Sequence, residues 1–158
     1  CFARVYTFGK AVGSHGAVVI GSKELKEYLI NFCKPFIYST ALDTANLLRV
    51  EHSYKFIQSN RNQFNKLSKL NIYFTNSFKT HFPGFELRGN GPVFGLICPG
   101  NEKCRNLAGD MQLKGYDVRP ILSPTVPRGT ERLRISLHSF NTNNEIDGLI
   151  GHLRSMIA

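Results

Sequence analysis

A glycine-rich segment near the start of the chain, Thr7-Phe8-Gly9-Lys10-Ala11-Val12-Gly13, contains a primary amine and a hydroxyl three residues apart. A lysine amine that acts as a nucleophile must be partly desolvated, so that it can be neutral near pH 7. The small residues around Lys10 would let a bound group approach the backbone closely, while the Thr7 hydroxyl could donate to an anionic part of that group. The segment has the residue types for covalent chemistry at Lys10, although the bare pattern is more typical of a surface lysine in a glycine-rich loop.

A second set of candidate residues lies on a predicted strand, Arg132 to His138. Its residues alternate between an apolar face and a polar face, with Leu133, Ile135 and Leu137 on the first and Arg132, Arg134, Ser136 and His138 on the second. A guanidinium can bind a carboxylate through two parallel hydrogen bonds, so Arg134 is a candidate for substrate recognition, the alternative being a solvated arginine. We assign Arg132 to solvent or a structural ion pair, and His138 to a partly exposed structural role.

The elements around Lys10 can be predicted from apolar spacing. Gly16 to Gly21 is an apolar run bounded by glycines, which is typical of a buried strand. Ser22 offers an N-cap for a helix that should end before Pro35, because proline disfavours helical geometry in the residue ahead of it. Phe36-Ile37-Tyr38-Ser39-Thr40 is predicted as another strand. Strand, helix and strand in this order indicate an α/β layer.

The rest of the chain is predicted to form a long helix followed by an α+β region. From about Asp43 the apolar spacing favours one helix of roughly 25 residues, which is long for a globular protein and suits a connection between domains. Further strands and helices are predicted at Val93 to Cys98, Asn101 to Lys114 and Arg132 to His138. Thr142 and Glu145 have the spacing of a capping box at the start of a final helix.

Composition narrows the class of protein. The 158 residues are 42% hydrophobic, which is typical of a globular domain, and no apolar run or leader-like segment predicts a membrane protein or a secreted one. The net charge of +9 is spread along the chain without a basic cluster, which disfavours nucleic-acid binding. The four cysteines have no metal-ligand spacing, and we expect reduced, mostly buried thiols in a cytoplasmic protein.

Two motifs resemble segments of one enzyme family. Thr7-Phe8-Gly9-Lys10-Ala11-x-Gly13-x-x-Gly16-Ala17, followed by Phe36 to Thr40, resembles the pyridoxal 5′-phosphate (PLP) lysine region of the α-oxoamine synthases. Ser123-Pro124-Thr125-Val126-Pro127-x-Gly129-Thr130-x-Arg132-Leu133-Arg134-Ile135 resembles the C-terminal substrate segment of the same family. The motifs stand in the family's order and span nearly the whole chain, so the sequence resembles the C-terminal part of such a synthase, within the class II aminotransferase-like enzymes.

The resemblance implies an α/β chain with the PLP-dependent transferase fold of type I, of which this would be the C-terminal portion. Residues 1–42 would be the end of the large-domain sheet with its PLP-binding lysine, 43–71 a long connecting helix, and 72–158 a small C-terminal α+β domain. The chain lacks an initiator methionine and begins within a motif. We expect cofactor-binding residues ahead of Cys1, and therefore weak PLP binding and little turnover by these 158 residues alone.

The resemblance also assigns residues to roles. Lys10 would form a Schiff base with PLP and then remove the α-proton of the bound amino acid. Thr7 would bind the cofactor phosphate in its own subunit and Thr40 that of the partner subunit in a homodimer with shared active sites, with Ser39 a weaker candidate. The remaining assignments concern substrate: Arg134 matches the arginine that holds the amino-acid carboxylate, and Thr125 matches a substrate-contacting position. No metal is implied, and His15 does not match the histidine that stacks on the cofactor.

The implied reaction joins an amino acid to an acyl-CoA with loss of carbon dioxide. The Tyr-Ser-Thr and Pro-Thr-Val-Pro stretches favour the member that uses L-alanine and pimeloyl-CoA in biotin synthesis. Members of the 2-amino-3-ketobutyrate CoA ligase or serine palmitoyltransferase type remain alternatives, as does a non-catalytic dimerisation fragment. This sequence has Leu42-Asp43-Thr44 where the family usually has a proline, so the start of the long helix is expected to differ.

Overall fold

The computed structural model describes residues 1–157, in two compact units that divide between Arg61 and Asn62. The first unit contains a two-stranded sheet and three helices, and the second contains a four-stranded sheet and three helices. Among the described residues, no helix is both long enough and apolar enough to cross a bilayer.

A β-hairpin forms the start of the first unit. Strand β1 (Ala3–Thr7), which sequence reasoning missed, pairs antiparallel with β2 (Ala17–Gly21), and Thr7 stands opposite Ala17 at the end of the ladder. The predicted strand after Gly16 is therefore confirmed. Its predicted burial is wrong, since Val19 and Ile20 are 49% and 52% exposed. Within this unit β2 has β1 as its single neighbouring strand, and four of its five residues are exposed.

Two short helices follow the hairpin. Helix α1 (Lys23–Phe32) begins where the Ser22 hydroxyl accepts a hydrogen bond from the backbone N–H of Leu25 at 3.3 Å, and it ends before Pro35 as predicted. The strand predicted at Phe36 to Thr40 is wrong, because Lys34–Ile37 form the single helical turn α2. Proline in the first turn of a helix loses no hydrogen bond and has a helical φ, so Pro35 favours this turn.

The predicted single long helix is two helices. Helix α3 (Thr44–Ser59) begins at an Asp43 cap, where the carboxylate accepts from the backbone N–H of Asn46 at 2.8 Å. Asn60 leaves helical geometry, with φ of −114° and ψ of 41°, and its side-chain amide donates to the carbonyl oxygen of Phe56 at 2.9 Å. A side chain that bonds to the preceding turn competes with the helical backbone. Helix α4 (Arg61–His81) then starts anew.

The second unit is built on an antiparallel sheet in the order β3-β4-β6-β5. Its strands are β3 (Leu87–Arg88), β4 (Val93–Ile97), β5 (Arg119–Ile121) and β6 (Arg132–Ser136), and its remaining helices are α5 (Asn101–Leu113) and α6 (Asn143–Ile157). The predicted strands of β4 and β6 and both helices are confirmed. Sequence reasoning missed β3 and β5, which are too short to show a period.

One face of this sheet packs against the helices of the second unit. Leu133, Ile135 and Leu137 are buried and Arg134, Ser136 and His138 are exposed, as the alternation predicts. The core is mainly aliphatic, and four phenylalanines form a cluster within it, where the rings of Phe74 on α4 and Phe94 on β4 lie 4.7 Å apart, centroid to centroid. The opposite face of the sheet carries arginine side chains together with apolar ones, since the register places Val93, Ile97 and Ile121 on that face.

The predicted capping box opens α6. Glu145 accepts from the backbone N–H of Thr142 at 2.7 Å, and the Thr142 hydroxyl accepts from the backbone N–H of Glu145 at 3.3 Å. These hydrogen bonds hold the pKa of Glu145 below its ordinary value, the Thr142 N–H contributing most.

Candidate functional site

Lys10 lies at the tip of the hairpin, in the loop that joins β1 to β2. Backbone hydrogen bonds close this loop, from Phe8 N–H to Gly16 O and from Ser14 N–H to Phe8 O, both at 2.8 Å. A tighter turn inside it is closed by the N–H of Gly13, which donates to Lys10 O at 3.0 Å with Gly13 at φ of +65°. The Lys10 side chain is exposed and takes part in none of the ion pairs among residues 1–157. Its amine is therefore presented to solvent by a closed backbone loop.

Two hydroxyl groups flank this amine along the chain. Thr7 is exposed at the last position of β1. The Ser14 hydroxyl is buried in the same loop and has no hydrogen-bond partner among the described residues. A buried hydroxyl without a partner is uncommon, and an added acceptor such as a phosphate oxygen would satisfy it. Ser14 was missed by sequence reasoning, because only its burial distinguishes it from the other small residues of the loop.

The other two predicted cofactor residues of the first unit, Ser39 and Thr40, lie outside the hairpin. Both are exposed and follow α2. The Ser39 hydroxyl donates to the carbonyl oxygen of Pro35, so it is already engaged. This leaves Thr40 as the better of the two candidates for binding a ligand.

Arg134 belongs to a row of residues that crosses the open face of the second unit's sheet. The strand register places Arg88, Gly95, Arg134 and Arg119 side by side, on β3, β4, β6 and β5 in turn. Residues directly opposite each other in an antiparallel pair project from the same face. The row therefore presents three guanidinium groups with a gap at Gly95, which the stem of Arg132 partly covers.

The three arginines of this row differ in their partners. Arg88 Nε lies 2.6 Å from Glu86 Oε1 and Arg119 Nε lies 2.7 Å from Asp117 Oδ1, so each outer arginine has a carboxylate two residues earlier in the chain. Arg134 is in none of the ion pairs of residues 1–157. The residue that sequence reasoning selected is thus the one arginine of the row whose guanidinium has no carboxylate within this part of the chain.

Thr125 is exposed in the loop that leads into β6, and two side chains fasten that loop to the start of α5. The Asn101 side chain accepts from the Ser123 N–H at 2.9 Å and donates to the Ser123 carbonyl at 3.2 Å. The buried Glu131 carboxylate accepts from the N–H groups of Gly100 at 3.0 Å and Gly129 at 2.9 Å. Both side chains therefore limit where Thr125 can lie.

The same hydrogen bonds lower the pKa of Glu131 from its ordinary value, with the Gly100 N–H as the largest cause. Sequence reasoning missed Glu131 and Asn101, because their partners are 31 and 22 residues away in the chain. Arg132, predicted to face solvent or an ion pair, donates instead to the Thr130 carbonyl oxygen at 2.9 Å.

Two of the four cysteines are buried, and His138 is stacked on a neighbouring ring. Cys98 and Cys104 are buried, while Cys33 is half-buried and Cys1 is exposed. Burial raises the pKa of Cys104 to about 11, so this thiol is protonated at neutral pH and is a poor nucleophile. The His138 ring is stacked on Phe140 with centroids 4.9 Å apart, which agrees with a structural histidine.

Comparison with known proteins identifies the class to which this fold and these residues belong. Residues 2–153 match the family described as aminotransferase class I and II, and the chain belongs to that family. Within it, the chain is similar to 8-amino-7-oxononanoate synthases. The protein of that name from Emericella nidulans is 38% identical over 157 residues, a match that covers 94% of this chain and 37% of the relative.

Solved structures agree with the sequence matches. The crystal structure of 8-amino-7-oxononanoate synthase from Francisella tularensis superposes with a TM-score of 0.86 at 25% identity, over 99% of this chain and 46% of that one. A serine palmitoyltransferase from Sphingomonas wittichii superposes with a TM-score of 0.82 at 19% identity, over 98% of this chain and 39% of that one. The predicted fold is confirmed, and the chain spans less than half the length of each of these proteins.

Proposed function

We propose that this chain is part of a PLP-dependent enzyme that condenses an amino acid with an acyl-CoA to give an amino ketone, carbon dioxide and CoA. The preferred pair is L-alanine and pimeloyl-CoA, which would give 8-amino-7-oxononanoate. The observation that carries the proposal is the exposed, unpaired Lys10 amine at the tip of a closed hairpin, in a member of the class I and II aminotransferase family.

The donors of the hairpin fit a cofactor that has an aldehyde and a phosphate. Lys10 would hold PLP through its amine, and the hydroxyl groups of Thr7 and Ser14 would donate hydrogen bonds to its phosphate. Ser14 supports this fit, because its buried hydroxyl lacks a partner among the described residues. When bound, PLP supplies an electron sink for the α-carbon of the substrate. In a homodimer, Thr40 would donate to the phosphate held by a second subunit.

Three side chains of this chain would contact the amino acid. Arg134 would bind the α-carboxylate through its free guanidinium, which fixes the orientation of the substrate. Lys10 would accept the proton from the α-carbon at Nζ, once the bound cofactor and substrate cover its exposed amine and exclude water from it. Thr125 would contact the same substrate from its fastened loop. The α-carbon then forms a bond to the thioester carbonyl carbon as the C–S bond breaks and CoA departs as the thiolate. Loss of the carboxylate as carbon dioxide leaves an electron pair on the α-carbon, which would take back the proton held by Lys10 Nζ.

The cofactor assignment can be tested by borohydride reduction of the native protein after incubation with PLP, followed by peptide mapping. We expect a pyridoxyl adduct on the peptide that contains Lys10. Lys26, an exposed lysine on α1, provides a matched control within the same protein. An adduct spread over both lysines, or absent from Lys10, would contradict the assignment.

The substrate assignment needs a separate experiment. The native enzyme would be assayed with L-alanine plus pimeloyl-CoA, glycine plus acetyl-CoA, and L-serine plus palmitoyl-CoA. We expect the highest kcat/KM for the first pair. Turnover of only the second or third pair would retain the class of reaction and overturn the proposed substrates.

A further inference from the structure

Arg119 and Arg134 stand directly opposite each other on β5 and β6. In an antiparallel pair such residues project from the same face, with Cβ atoms about 5 Å apart. Both side chains are exposed. Two guanidinium groups can therefore approach one ligand from adjacent strands.

The charges of this pair are only partly compensated within the described residues. Like charges directly opposite each other in a sheet are unfavourable. Asp117 binds Arg119 at Nε, which leaves the outer N–H groups of that guanidinium for another acceptor. Arg134 has no carboxylate partner among residues 1–157. A bound anion would offset the repulsion between the two arginines.

The two arginines also line one groove. Its volume is about 750 Å³, and its wall includes Arg119, Arg134, Lys114 and His138. The acidic residues of the same wall are already engaged, Asp117 with Arg119 and Glu145 in the capping box of α6. The unengaged charges of the groove are therefore positive, and its size suits a small organic anion.

We infer that Arg119 is a second carboxylate-binding residue beside Arg134, held in place by Asp117. The inference rests on the proposed function for the role of Arg134. The ligand is a carboxylate, which would be either the α-carboxylate of the amino acid, shared by both arginines, or the terminal carboxylate of a dicarboxylic acyl thioester. Arg88, in the same row, is set apart from Arg134 by Gly95 and does not share this role.

The test compares Arg119→Gln with Arg88→Gln, a matched control on the other side of the row that also loses an arginine paired to a carboxylate two residues earlier. The native enzyme and both variants would be assayed for the KM of L-alanine, pimeloyl-CoA and heptanoyl-CoA, the last having the same chain length without the terminal carboxylate. Removal of a hydrogen bond to a charged group predicts an increase of about tenfold or more in one KM for Arg119→Gln.

A raised KM for L-alanine assigns Arg119 to the amino acid. A raised KM for pimeloyl-CoA with no change for heptanoyl-CoA assigns it to the acyl chain. Unchanged KM values, or equal changes in both variants, would overturn the inference.

Calorimetric titration with L-alanine and with pimelate measures binding at the site without turnover. Loss of binding of either ligand in Arg119→Gln supports the inference even if the proposed reaction is wrong. Unchanged binding of both ligands contradicts it.

Discussion

The carboxylate of Glu131 is hydrogen-bonded to the backbone N–H of Gly100, 31 residues earlier in the chain, at 3.0 Å. Gly100 is the residue before α5, where helical N–H groups lack partners within the helix. The same carboxylate oxygen of Glu131 accepts a hydrogen bond from the backbone N–H of Gly129, in the loop that contains Thr125. One buried side chain thus joins the start of a helix to the loop that carries a proposed substrate contact.

Replacement of Glu131 should change stability in a pH-dependent way. Its folded-state pKa lies below the ordinary glutamate value, so its contribution to the free energy of unfolding is fully present above that value and is lost as pH falls through the folded-state pKa. We expect Glu131→Gln to lower the urea midpoint of unfolding at pH 7. The difference in urea midpoint between this variant and the native protein should shrink once the pH falls below the ordinary glutamate pKa of about 4.3.

Glu102, an exposed carboxylate in the first turn of α5, offers a control for this experiment. Glu102→Gln should change the midpoint much less at pH 7. A pH-independent difference for Glu131→Gln would show that its charge does not contribute.

The phenylalanine cluster in the core of the second unit should contribute strongly to its stability. Phe74 is fully buried and packs on Phe78 and Phe94. Phe74→Ala should lower the free energy of unfolding by about 3–5 kcal/mol, through lost burial and the cavity that remains. Phe64→Ala on the same helix, where the side chain is 52% exposed, should lower the free energy of unfolding by about 0.5 kcal/mol or less. Chemical unfolding of both variants measures the difference, and similar losses would contradict the packing described here.

Lys10→Arg should abolish most activity while it preserves the positive charge. A guanidinium does not lose its proton in proteins, so it can act neither as a nucleophile nor as a base. We expect kcat of the native enzyme to fall by about 10²–10⁴-fold, the usual contribution of a positioned base. Lys26→Arg on α1 should leave kcat unchanged. Full turnover by Lys10→Arg would remove Lys10 from the mechanism.

Arg134→Lys should weaken recognition of the amino acid more than it slows the reaction. An ammonium group is a point charge and cannot reproduce the two parallel hydrogen bonds of a guanidinium. We expect the KM for the amino acid to rise about tenfold or more, with a smaller change in kcat. Steady-state kinetics with Arg154→Lys, an exposed arginine near the end of α6, provides the comparison. An unchanged KM would assign Arg134 to solvent.

Local chemistry explains which elements could be predicted from the sequence. The alternation at Leu133, Ile135 and Leu137 and the capping box at Thr142 depend on neighbours within a few residues, and both are confirmed. The Phe36 to Thr40 prediction failed because strand-like residues form a strand only when another strand pairs with them, and Pro35 favours a helical turn here. The break at Asn60 depends on a side chain that bonds to its own preceding turn.

The candidate site residues can also be divided into those that the sequence predicts and those that only the structure shows. The sequence alone determined the family and the fold class and selected Lys10 and Arg134 as candidates, because a motif consists of residue types at fixed spacing. Only the tertiary structure decided that Arg134 lies beside Arg119 and next to Gly95, and that Glu131 reaches Gly100. Strand register and the burial of a charge depend on residues far apart in the chain, which no local pattern records.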